Sequence, residues 1–248
     1  MQFSPLRLTL VLFVGFVCAV SISAQTVTFS GRVTEQATGQ GVAGAAVVAE
    51  GNVTGTRVAV TDAQGNYTLP FGANTNIKLR PYKTNYVFNP LQVTFVSSGP
   101  AISGSMTQNF SGSSFPILII ALPPMLLTED NSLSALVLDN LIHTRDPFPI
   151  TTNEYFVSDK QTRLKLLLVD LDLHPNQGET LSLISAQARD AQSRTYNLVV
   201  EDLRKAPGFP WMSQLLVRLP PELAGVNNVT ITVSARGLAS NGANVRLK

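Results

Sequence analysis

The sequence predicts an all-β protein: two antiparallel β-sandwich domains in series behind an N-terminal signal segment. Three observations predict it. Short stretches with apolar residues at every second position recur along the chain, separated by turn residues about every eight to twelve positions. Apolar residues at helical spacing persist over no useful length. An uncharged Ser- and Gly-rich stretch, 97–114, divides the strand-rich sequence in two.

Residues 1–24 read as a secretory signal peptide. Arg7 is its lone charge, Leu8 to Val20 its apolar run, and Ser21-Ile22-Ser23-Ala24 its small-residue end before a cut at Ala24/Gln25. A signal anchor is the competing reading; Gly15 and the small-residue end favour cleavage. Lipidation at Cys18 is a further alternative, for which Val17 is a poor preceding residue. Cys18 is the single cysteine. Its loss leaves no disulfide, thiol nucleophile or thiolate metal site in the mature chain. The net charge of +2 implies neither a nucleic-acid groove nor an anionic-membrane patch.

From Gln25 the strands follow in order. Val27, Phe29 and Val33 keep one parity. Thr38-Gly39-Gln40-Gly41 is a turn, and Val42 to Glu50 a small-residue strand. Thr56 to Thr61 points Val58 and Val60 inward and enters a hairpin, Thr61-Asp62-Ala63-Gln64-Gly65-Asn66-Tyr67. There Asp62 is expected to accept hydrogen bonds from the following backbone and Gly65 to supply a positive φ. Tyr67 and Leu69 share a face of the outgoing strand. Ile77 and Leu79, Tyr86 and Phe88, and Val93 and Phe95 mark further strands, and Ser105 to Phe110 a seventh. Ser111-Gly112-Ser113-Ser114 reads as the linker.

Gly31-Arg32-Val33, Gly41-Val42-Ala43-Gly44-Ala45 leading into Val47, Thr61 to Tyr67, and Lys83-Thr84-Asn85-Tyr86-Val87-Phe88-Asn89-Pro90 together carry a resemblance. Residues 26 to 111 resemble a carboxypeptidase-regulatory-like (transthyretin- or prealbumin-like) β-sandwich domain. The resemblance implies an Ig-like or prealbumin-like sandwich. It implies no carboxypeptidase activity, because it is to the accessory domain. Such domains serve as spacers, adhesin repeats, enzyme appendages and carbohydrate-binding-like modules.

The apolar run Phe115–Leu127, interrupted by Pro123-Pro124, is too short to span a bilayer, which needs about 20 residues; it reads as an edge strand entering the second domain. Leu136-Val137-Leu138, Leu164 to Leu173 (nearly continuous in Leu and Val, hence central), Leu181 to Ala188, Tyr196/Leu198/Val200, Leu215/Val217/Leu219, Val229/Ile231/Val233 and Val245/Leu247 are the later strands. Pro220 to Gly225 reads as one helical turn. Asp190-Ala191-Gln192 before Tyr196 repeats the turn chemistry of the first hairpin. Leu127-Thr128-Glu129-Asp130, Arg145-Asp146-Pro147-Phe148, Asp170-Leu171-Asp172-Leu173 and Leu219-Pro220-Pro221-Glu222-Leu223 resemble a C-terminal module of exported bacterial proteins of unknown function. The expected domains are therefore 1–24, 25–112 and 113–248.

Chemistry is sparse. There is no Gly-x-Ser-x-Gly elbow. Of the two histidines, His143 reads as a strand-edge residue and His174 as a loop residue. No His-Glu-x-x-His or twelve-residue calcium loop occurs. Asp170 and Asp172, two apart on an expected strand, share a side and form a calcium candidate together with Asp190 or Glu179; the competing reading is a solvated strand face. Glu129/Asp130 and Glu201/Asp202 are adjacent residues whose carboxylates point apart, unlike a glycosidase pair. Exposed aromatics near turns are the saccharide-binding candidates: Trp211 first, with Phe209 and Tyr82. The alternative for Trp211 is that it plugs the sandwich end. The reading is an exported, non-catalytic binding or structural protein, secreted or held in the cell envelope. Its expected partner is a protein or polysaccharide of the envelope or extracellular matrix, with no nucleic acid, no cofactor and no membrane span after signal cleavage. Carbohydrate binding through exposed aromatics is the alternative.

Overall fold

A computed structural model describes residues 25–115, 122–141, 143–152, 159–173 and 178–248. The signal segment 1–24 with Cys18, His174, and positions 116–121 of the apolar run lie outside the described residues. The first half of the chain forms β1 (Thr26–Glu35), β2 (Ala46–Gly51), β3 (Gly55–Val60), β4 (Asn66–Gly72), β5 (Asn76–Tyr82), β6 (Tyr86–Asn89), β7 (Val93–Val96), β8 (Gly104–Thr107) and β9 (Phe110–Ser114). The second half forms β10 (Met125–Leu126), β11 (Val137–Asp139), β12 (Arg163–Val169), β13 (Ile184–Asp190), β14 (Thr195–Ala206), β15 (Phe209–Arg218), β16 (Asn228–Ala235), β17 (Leu238–Ala239) and β18 (Ala243–Arg246). The protein is all-β, as the sequence predicts. Among the described residues no helix is long and apolar enough to cross a membrane.

Alternation explains the first half. Val27, Phe29 and Val33 of β1 and Tyr67, Leu69 and Phe71 of β4 face Val47 and Ala49 of β2 and Ile77 and Leu79 of β5 across one buried core. One sheet runs β4-β1-β9-β6, with β8 also on β1; the other runs β3-β2-β5-β7. The Asp62 Oδ1 accepts the Gln64 and Asn66 amides at 2.9 and 2.8 Å, and Gly65 has φ 80°, as the hairpin chemistry requires. A Cβ on Gly65 would stand 2.2 Å from the Val33 carbonyl oxygen.

The expected linker is corrected here. Ser111-Gly112-Ser113-Ser114 lies within β9, parallel to β1 (Val33 opposite Phe110) and antiparallel to β6 (Phe88 opposite Gly112). Gly112 has no room for a side chain: a Cβ there would lie 2.7 Å from the Phe88 ring.

In the second half one sheet, β10-β12-β15-β14-β13-β16-β17 with β11 on β12 and β18 on β16, folds over at β14. The first part of β14 pairs with β13 and the rest with β15, and the register shifts between Val200 and Asp202. An irregularity of that kind bends a strand from one layer to the next. Leu164, Leu166 and Leu168 of β12, Leu215 and Val217 of β15, and Val229, Ile231 and Val233 of β16 fill the core. The short 3-10 turn Pro221–Leu223 falls on the expected helical turn. Asp190 repeats Asp62: its Oδ1 accepts the Gln192 and Arg194 amides, both at 2.9 Å. Ser193, at φ 67°, takes the place of Gly65.

A third buried cluster joins the two halves. Val48 and Tyr82, on the outer faces of β2 and β5, meet Met125, Leu127, Leu167 and Val169. The near-continuous Leu/Val run of β12 follows from this: Leu166 and Leu168 face one core while Leu167 and Val169 face the seam.

Candidate functional site

A buried polar cluster lies in that seam. β5 alternates, so Ile77 and Leu79 enter the first core while Arg80 turns outward towards the second half. Arg80 is only 2% exposed. Its guanidinium donates to the Pro123 carbonyl at 2.9 Å and stands 3.3 Å from the Asp170 carboxylate. Its Nε is buried without a hydrogen-bond partner among the described residues. Two residues on, the Tyr82 hydroxyl donates to Asp172 and accepts from the Lys205 ammonium at 3.1 Å. Lys205 also ion-pairs with Asp172 and sits over the Tyr82 ring, 5.4 Å from its centroid. Arg236 closes the second half's side, donating to both Glu179 oxygens and to the Asp172 carbonyl, each at 2.6 Å.

The backbone sets this geometry. β12 ends at Val169, and Asp170 adopts φ 63°, a left-handed turn that breaks the strand. Asp170 and Asp172 are thus not on a solvated strand face, which corrects the sequence-based alternative. Both carboxylates enter the seam, where cations meet them. Burial pushes the Asp170 carboxyl up to about 6, against the pull of Arg80. Burial, reinforced by Asp172, pushes the Tyr82 phenol up, so it stays a protonated donor. Burial also lowers Arg80, opposed by Asp170 and Glu50. The hydrogen bond to Glu179 raises Arg236. Three cations and three carboxylates balance, which makes the cluster a lock between two faces.

The calcium candidates Asp170 and Asp172 therefore already have cationic partners. Among the described residues no group of three or more His, Asp or Glu is placed to hold a metal ion. Asp190 belongs instead to its own hairpin, bonded to Arg194 and Tyr196. Of the saccharide candidates, Tyr82 is 8% exposed and presents no open ring face. Phe209 is 49% exposed at the β14–β15 turn and meets Trp211 edge to face, centroids 5.9 Å apart at 79°. Trp211 is half-buried and packs on the rim of the seam. A hollow of about 360 Å³ opens beside the lock and is lined by two of its members, Asp172 and Lys205, with Thr84, Asn85, Leu173 and Arg204. His143 lies in the turn after β11 at φ 53°, not on a strand, with its amide donating to the Asp139 carbonyl at 3.2 Å.

A second set of bonds runs along the seam. The Thr56 and Thr128 amides donate to each other's hydroxyls at 2.8 and 2.9 Å, and the Thr56 hydroxyl donates to the Leu126 carbonyl at 3.1 Å. Sequence reasoning missed Arg80 and Thr56 altogether. The one signal for Arg80 was a charged residue inside a strand whose neighbours are apolar on both sides.

No family model matches this sequence, and no curated protein matches it. Solved structures similar to it include a 3-chlorocatechol 1,2-dioxygenase from Rhodococcus opacus 1CP, at 14% identity and TM-score 0.28, covering 38% of this chain. This chain spans 62% of the length of that dioxygenase. The major pilin subunit BcpA of Bacillus cereus matches at 9% identity and TM-score 0.29, over 90% of this chain and 70% of its own. A DUF3823 family protein from Bacteroides ovatus matches at 8% identity and TM-score 0.25, over 90% of this chain and 100% of its own. Likenesses at this level carry no argument about what this chain does.

Proposed function

We propose that the chain is an exported, non-catalytic structural or binding protein of the cell envelope or exterior. Its first module, from residue 25 to the end of β9, is carboxypeptidase-regulatory-like, and its second, the remainder of the chain, is Ig-like. The observation that carries this reading is the ion-paired seam. Arg80, the most buried cation of the described chain, meets Asp170 across the seam, and Tyr82 beside it bonds Asp172, while Lys205 and Arg236 hold Asp172 and Glu179 on the second half's side. Polar groups used to fix one face on another suit a rigid spacer or display scaffold, whose surface loops and edges do the binding. A catalytic centre would keep such groups open to a substrate, whereas Arg80 and Glu179 are buried.

The test is binding of the purified chain to immobilised polysaccharides and to envelope and matrix proteins, with N-terminal sequencing of the exported form. Saturable binding without turnover, and a mature N-terminus near Gln25, support the proposal. Retention of Met1, or hydrolysis of any arrayed polymer, overturns it. A second reading, carbohydrate binding, is favoured by one observation: the exposed Phe209 edge-to-face on Trp211. Saccharide binding lost in both Phe209→Ala and Trp211→Ala would select it.

A further inference from the structure

In an antiparallel pair, every second residue turns its main-chain N–H and C=O to one neighbouring strand, and the residues between turn theirs the other way. On β7, Phe95 lies opposite Ile77 and Thr94 opposite Lys78 of β5. The Ser97 amide donates to the Thr75 carbonyl at 2.8 Å. Val93, Phe95 and Ser97 therefore direct their main chain at β5, and Thr94 and Val96 direct theirs away from it. Among the described residues no strand pairs with that side of β7. The Val93 and Phe95 side chains anchor the strand on the first core, and Val96 is 71% exposed.

Edge strands are usually protected by charge, proline or cover. β3 carries Arg57 and is tied down by Thr128. β4 carries Pro70. β18 carries Arg246 and has Ser134 and Phe148 bridged to its flank. β7 (Val-Thr-Phe-Val) has none of these. From Thr84 through Thr128 the chain has no Asp, Glu, Lys or Arg. The nearest charge on the neighbouring strand, Lys78, is paired with Glu50 at 3.6 Å. A two-fold interface sets one patch against itself, so any net charge on it repels. A neutral edge meets that condition, while an acidic or basic partner finds no complement there.

We infer that β7 is the docking edge for a second copy of this chain, paired antiparallel about a two-fold axis at Phe95. In that register Thr94 and Val96 of one copy exchange main-chain hydrogen bonds with Val96 and Thr94 of the other. The sheet β3-β2-β5-β7 then runs on into its copy, and both exposed valines leave water.

The experiment is sedimentation velocity of the full chain over a concentration series up to about 100 μM. A reversible monomer–dimer equilibrium is expected. Val96→Lys should weaken it by about tenfold or more with an unchanged circular dichroism spectrum, since that side chain lies in solvent. Val96→Thr, neutral and β-branched, should retain the dimer. An equimolar mixture of Val96→Lys and Thr94→Glu chains should restore association, because the two positions face each other across the axis. Monomer at every concentration, a dimer indifferent to Val96→Lys, or open-ended polymers would each overturn the inference.

Discussion

Replacing Arg80 by Met keeps most of the buried stem and deletes the charge opposite Asp170. At 3.3 Å the pair attracts by about 5 kcal/mol at an effective dielectric of about 20. This attraction does not fully offset burial. A carboxyl held at about 6 rather than 3.8 loses about 3 kcal/mol of folding stability when ionised. The folded value is raised, so Asp170's contribution is fully present below about pH 3.8 and is lost as pH rises through about 6. Without Arg80 the carboxyl rises further, and its loss continues over a wider range. At about pH 5 Asp170 is protonated in both proteins, and the variant loses only hydrogen bonding and packing. At about pH 7.5 the wild type has stopped losing stability at about 6, whereas the variant has not. The variant's deficit should then be larger than at pH 5, by up to about 2 kcal/mol. The assay is urea unfolding at the two pH values. Glu50, Tyr82, Asp172, Lys205 and Arg236 face the same pair and are unchanged in both proteins. The double variant Arg80→Met/Asp170→Asn should lack the extra deficit at pH 7.5, as replacing a whole buried pair is tolerated better than breaking it. A deficit equal at the two pH values would refute the reasoning.

Further outcomes follow from the first hairpin and from the seam. Gly65→Val should destabilise by more than about 2 kcal/mol in thermal or urea unfolding, because φ 80° and the Val33 carbonyl both exclude a side chain; Asp62→Ala should lose about 1 kcal/mol with its turn bonds. Thr56→Val should lose about 1–3 kcal/mol, since it leaves the buried Thr128 amide without its acceptor, and limited proteolysis should then cut faster near the seam. Trp211→Ala should cost about 2 kcal/mol through the seam rim, whereas Phe209→Ala should change the melting temperature little.

Period-two patterning made most strands legible. β1, β4 and β16 bury alternate residues, as their sequences imply, and the Asp62 and Asp190 turns were readable from local hydrogen-bonding chemistry. β9 was not, because Ser and Gly look like linker whether they sit in solvent or beneath an aromatic ring; the apolar Phe110 with Gly112, buried at a spacing of two, was its one trace. The seam was illegible for another reason. Arg80, Tyr82, Asp170 and Asp172 acquire their roles only when two sandwich faces meet, and no local pattern encodes which face meets which. Tyr82 read as an exposed aromatic near a turn is the plainest instance: Lys205, 123 positions away, sits over its ring.

The parallel placement of β9 between β1 and β6 also governs the order in which the molecule can be built. The strand that completes the first sheet is the last of its half to be made, and it must slot beside the first, Phe110 against Val33. A ribosome that has released β1 to β7 holds a sheet with a vacant central lane, and β6 has no partner until Ser114 emerges. Contacts so distant in sequence form slowly. The first half therefore stays incomplete until nearly half of the chain has been synthesised.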